Sequence, residues 1–170
     1  MRTALVLAAL TATASASLGI DAIDSISTST FTCLKSNGYT YYFGRAYRSN
    51  GKTDSTGIQN IKNAKAAGVT GDAYIFPCLS CGSGASQVTT AINAIKSAGA
   101  TIGTFWLDIE TYAWPSSQSS NQQFILDMAN QVVKMGYKVG IYTNNNNWSQ
   151  IVGINWNGVS KYPLWWANYN

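Results

Sequence analysis

Apolar residues return along this chain in two rhythms. In "GIQNIKNAKAAG" they recur every three or four positions, at Ile58, Ile61, Ala64 and Lys65 or Ala66, which is the spacing of one helix face; Gly68 stands where a C-cap glycine belongs. Short β-rich runs follow such segments: "TSTFTCLKSNG" leads to "YTYYFGRAY", "GIQNIKNAKAAG" to "DAYIFPC", "VTTAINAIKSAG" to "TIGTFWLDIE", and "NQQFILDMANQVVKMG" to "YKVGIYT". The terminating glycines at 38, 68, 99 and 136 are 30, 31 and 37 residues apart. That is the length of a βα unit, so the pattern predicts successive layers of one parallel sheet and not a solenoid. With "LGIDAID" as a first strand, "YPLWWANY" as a last one and a short helix around "NNWSQIVG", the count is six strands and about five helices in an α/β fold. Polar residues gather near the C-terminal ends of the strands, where α/β barrels carry their sites, although periodicity alone does not separate a barrel from an open doubly wound sheet.

Composition sharpens this picture in a few places. A chain of 170 residues, 46% hydrophobic and 11% charged, suits one domain with one substantial core. The opening "MRTALVLAALTATASAS" has a basic start, an apolar run to Leu10 and an Ala14-x-Ala16 pair, the pattern of a secretory signal cleaved near residue 16, leaving 17–170 as the mature domain. No later apolar run reaches the length of a membrane span, so an exported monomer without membrane insertion is expected. Net charge falls from +4 to about +3 once Arg2 is removed, and the cations are scattered, which argues against a nucleic-acid partner. The three cysteines, Cys33, Cys78 and Cys81, imply one disulfide and one thiol left over. The C-x-x-C of "FPCLSC" reads better as a structural bridge than as a redox or zinc motif.

The available chemistry is narrow. There is no histidine, which removes Ser-His-Asp and Cys-His catalysis and imidazole ligands for zinc. No glycine-rich phosphate loop follows a strand, and no cofactor or metal is expected. Of the seven carboxylates, Asp54 and Asp127 suit solvated or helix-capping positions, and Asp72 suits a loop or cap before a strand. Asp21, Asp108 and Glu110, by contrast, end apolar strand runs, where an unpaired charge is costly to bury. In "TFWLDIETYAW", Asp108 and Glu110 alternate, so a strand presents both on one face about 7 Å apart along the backbone. Two carboxylates among aromatic rings suit glycoside hydrolysis: burial and the like charge raise one pKa, and Glu110, with the longer reach, is the expected general acid. The plain alternative is a pair that caps a helix or binds Arg45. Trp106, Trp114, Tyr142, Trp165, Trp166 and Tyr169 are candidate sugar-stacking rings or else core. "NWS" at Asn147 is an N-glycosylation sequon.

Taken in order, "GIDAID", "RAY" before "NGKTD", "DAYIFPC", "FWLDIE", "GIYT" and "PLWWANY" resemble the glycoside hydrolase family 25 (Chalaropsis-type) lysozymes, especially nematode-like members, from about Leu18 to the last residue. The resemblance implies an irregular TIM-like barrel of eight strands that cleaves the β-1,4 link between N-acetylmuramic acid and N-acetylglucosamine in peptidoglycan. It gives Glu110 the acid/base role, Asp108 that of companion carboxylate and Asp21 that of the first-strand groove aspartate. Tyr142 and Trp166 or Tyr169 become groove aromatics. The family normally continues past W-x-A-x-Y with two strands and another aspartate, so a barrel lacking its last strands is expected here, the absent segment being a possible home for the odd cysteine's partner. Secretion, or delivery to a lysosome or phagosome, fits defence against bacteria or their digestion. A non-catalytic glycan binder, or a truncated and inactive lysozyme-like protein, is the rival reading. A chitinase is a lesser one, because its D-x-x-D-x-D-x-E pattern finds Trp106 and Gly103 at the two earlier acidic positions.

Overall fold

Each helix begins on a side chain that accepts a backbone N–H from the residue three positions on, which satisfies an otherwise orphaned donor. Ser27 does this for α1 (Thr28–Ser36), Asp54 for α2 (Ser55–Ala66), Ser83 for α3 (Gly84–Ser97), Ser117 for α4 (Gln118–Lys134) and Asn144 for α5 (Asn145–Ile151). The glycines at 38, 68, 99 and 136 follow α1 to α4 with φ between 69° and 88°, the left-handed backbone that lets the chain leave the helix for the next strand. The computed structural model describes residues 17–169; the expected leader at 1–16 and residue 170 lie outside the described residues.

Among the described residues six strands, β1 (Leu18–Asp21), β2 (Tyr39–Tyr47), β3 (Thr70–Ile75), β4 (Thr104–Asp108), β5 (Lys138–Thr143) and β6 (Leu164–Trp166), form one parallel sheet in chain order. Alternation divides their side chains between two faces. Tyr42, Ala46, Ala73, Ile75, Phe105, Leu107, Val139 and Ile141 point outward and are buried against Ile58, Ile61 and Ala64 of α2, Val88, Ile92 and Ile95 of α3, and Ile125, Met128 and Val132 of α4. The other face is concave, and the sheet curls far enough for Trp165 of β6 to lie 4.1 Å from Phe43 of β2, ring centroid to centroid. The result is a half-barrel with an aromatic interior. Among the described residues, no helix is long and apolar enough to cross a membrane.

Two elements are shorter than the sequence pattern suggests. β1 stops at Asp21, because side-chain amides of α2 take over the next backbone groups: Asn60 Oδ1 accepts from Ile26 N–H, Asn60 Nδ2 donates to Asp24 C=O and Asn63 Nδ2 to Ile26 C=O. β6 keeps only "LWW", paired with Ile141 to Thr143. The cysteine question also resolves. Cys78 and Cys81 are bridged and Cys33 is an exposed free thiol.

Candidate active site

The concave face is built in layers. At its base Asp72 is fully buried and accepts from Tyr41 Oη (3.1 Å), Trp106 Nε1 (3.0 Å) and the N–H groups of Gly103 (3.0 Å) and Thr104 (2.8 Å). This corrects the reading of Asp72 as a loop or cap residue: it lies inside β3 and holds the aromatic floor together. Phe43, Trp106 and Trp165 form the next layer. Above them the C-terminal strand ends deliver polar groups.

There, Asp21, Tyr74, Asp108, Glu110, Tyr142, Trp165 and Tyr169 line one recess of about 170 Å³. Six of the candidate residues therefore meet: Asp21, Asp108, Glu110, Tyr142, Trp165 and Tyr169. Trp166 does not join them. One step along β6 reverses the face, so Trp166 is 45% exposed and lines an outer pocket with Ile141, Thr143 and Leu164, while Trp165 fills the inner position. That outer pocket is larger, about 320 Å³, but it contains no carboxylate, and the recess is the better site on chemical grounds. Tyr74 and Trp165 complete the wall; Tyr74 could have been found from its alternation with Asp72 in "DAYIF". Trp106 is tied to Asp72, and Trp114 packs against Phe124 with its Nε1–H donated to Glu110 C=O at 2.9 Å, so neither faces the recess as a free platform.

Electrostatics distinguishes the two central carboxylates. Asp108 is only 6% exposed and its Oδ1 has no hydrogen-bond partner. Burial first, and then the charges of Glu110 and Asp21, push its carboxyl well above the usual range, while Arg45 pulls the other way. Arg45 is not the pair's salt-bridge partner. Its Nε donates to Asp54 at 2.7 Å, and Asp54, a buried helix cap, also receives Arg48 Nη2 at 2.9 Å. Burial raises the Asp54 carboxyl, but the bonds from Arg48, Arg45 and Gly57 outweigh it and hold the group below its usual range. Tyr142 is displaced upward by burial, by its 2.9 Å bond with Tyr169 Oη and by the charge of Glu110. Among the described residues no cluster of three or more acidic, cysteine or histidine side chains could hold a metal ion.

A family model described as Lysozyme-like protein 1 matches residues 12–170. Lysozyme-like protein 5 of Caenorhabditis elegans is 48% identical over 155 residues, covering 89% of this chain and 72% of the relative. Probable GH family 25 lysozyme 2 of Dictyostelium discoideum is 40% identical over 157 residues, covering 92% and 74%. The chain belongs to the GH family 25 lysozymes and their lysozyme-like relatives. Solved structures agree on the fold of this family 25 chain. A muramidase from Trichobolus zukalii superposes with a TM-score of 0.74 at 22% identity, covering 89% of this chain and 77% of that one. A bacterial lysozyme from Streptomyces coelicolor gives 0.70 at 24%, covering 91% and 76%.

Proposed function

We propose that the chain is a secreted N-acetylmuramidase that hydrolyses the β-1,4 bond between N-acetylmuramic acid and N-acetylglucosamine in bacterial peptidoglycan. The observation that carries this reading is the convergence of Asp108 and Glu110 in one aromatic-walled recess at the C-terminal end of the sheet, in a chain of lysozyme kinship. Glu110, less buried than Asp108 and longer, protonates the glycosidic oxygen as the bond breaks and afterwards, as carboxylate, takes a proton from the attacking water. Asp108 lies deeper in the same recess; ionised once a sugar is bound, it stabilises positive charge developing at the anomeric carbon, or it orients the acetamide. Asp21 adds negative charge from β1, and Trp165, Tyr142 and Tyr169 offer ring faces to the glycan.

Export to the cell exterior, or to a lysosome or phagosome, fits the leader-like opening and the Cys78–Cys81 bridge, since disulfides persist in oxidising compartments. Defence against bacteria or their digestion is the role that fits that location. The test is to digest purified peptidoglycan, reduce the products with borohydride and identify the reduced amino sugar. Reduced N-acetylmuramic acid is the expected product; reduced N-acetylglucosamine in its place would assign the other glycosidic bond.

A further inference from the structure

The segment that carries Glu110 has left the sheet, yet successive residues of it are held from β5 and α5. Ile109 N–H donates to Tyr142 C=O at 2.9 Å, and Ile109 C=O accepts Thr143 Oγ1–H at 2.8 Å. Beyond Glu110, Asn147 Oδ1 accepts both Thr111 N–H at 3.1 Å and Thr111 Oγ1–H at 2.8 Å. Asn147 is itself fixed: its residue is 8% exposed, and its N–H donates to the α5 cap Asn144 Oδ1 at 2.9 Å. The Glu110 carboxylate, by contrast, has no hydrogen bond of its own among the described residues. Its aim depends on the backbone that carries it.

We infer that Asn147 is a positioning residue for the acid/base Glu110, acting through a two-pronged grip on Thr111. The inference rests on the hydrolase reading above and extends it to a residue outside the recess. One amide oxygen receiving two donors of a single residue fixes both the peptide plane after Glu110 and the Thr111 rotamer, which a lone backbone bond does not do. A general acid must stand within hydrogen-bond reach of the leaving oxygen, and a displacement of about 1 Å can cost about 10² in rate. The same geometry gives the Asn of the "NWS" sequon a buried, load-sharing place instead of a surface one.

The test compares the parent with Asn147→Ala, which removes both prongs, Thr111→Val, which removes the hydroxyl prong at nearly constant shape, and Thr111→Ser, which retains it. Reducing-end release from peptidoglycan is measured against substrate concentration, with thermal melting of each variant alongside. Expected are kcat losses of about 10- to 100-fold in Asn147→Ala and a smaller loss in Thr111→Val, KM within about twofold, and recovery in Thr111→Ser. An active parent whose folded Asn147→Ala and Thr111→Val variants keep kcat, or lose rate only through KM, overturns the positioning role alone. A folded parent that releases no ends overturns the hydrolase reading and this role with it.

Discussion

Asp108 combines near-complete burial with an oxygen that no protein group satisfies, and no other described carboxylate does both. Burial, together with the charges of Glu110 and Asp21, favours its neutral form. For stability the sign follows directly: with the folded pKa above the ordinary 3.8, the favourable contribution is full below that value and is lost as pH rises through the folded one. Asp108→Asn, which cannot ionise, should therefore melt above the parent at neutral pH, the gap closing toward acid, while peptidoglycan hydrolysis falls by about 10² to 10³. Melting scans between acid and neutral pH check this; a variant less stable than the parent at pH 7 contradicts it. The pair was legible because alternating acids in an aromatic strand leave few options. The choice between Trp165 and Trp166 was not, since both faces of "LWW" carry an apolar or aromatic residue and only the curl of the sheet tells inside from outside. Asp72 was hidden for a different reason: its partners Tyr41, Gly103, Thr104 and Trp106 lie about 31 residues away in either direction, and nothing local announces them.

At the scale of elements, the helix, glycine and strand grammar gave the count of strands and helices because each signal is local: a face of period 3.6, a left-handed glycine, a β-rich run. What locality could not supply is how closely α2 sits on β2. A Cβ on Gly57, in the first turn of α2, would stand 2.0 Å from the Arg45 carbonyl oxygen, and one on Gly44 would stand 2.6 Å from Ile61. These two hydrogens let the cap Asp54 reach Arg45, which the register sets beside Tyr74 of the recess wall. Gly57→Ala gains helix propensity of about 1 kcal/mol but must push helix and strand apart, so a net loss of about 2 kcal/mol is expected in urea unfolding. A neutral or stabilised variant would mean that α2 is not pressed on β2 at that point.

Over the whole molecule, chain-order pairing of six parallel strands with helices on one side leaves the other side free, and right-handed units of this kind curl it into a trough. The trough's floor is held together by Asp72 and its aromatic partners, while Asp108 and Glu110 stand together at its C-terminal end. That division of labour was half visible beforehand: strand-end acids marked the functional end, whereas the curvature that brings β6 over β2 comes from packing between residues 122 positions apart, Phe43 and Trp165, and leaves no trace in periodicity. The central claim is that this end of the trough breaks glycosidic bonds through Glu110. The measurement that tests it most directly counts new reducing ends released from purified peptidoglycan by the parent and by Glu110→Gln, with circular dichroism establishing that both are folded. Release by the parent and a rate lower by about 10² to 10⁴ in the variant is the predicted result; equal rates from two folded proteins, whether both active or both silent, would contradict it.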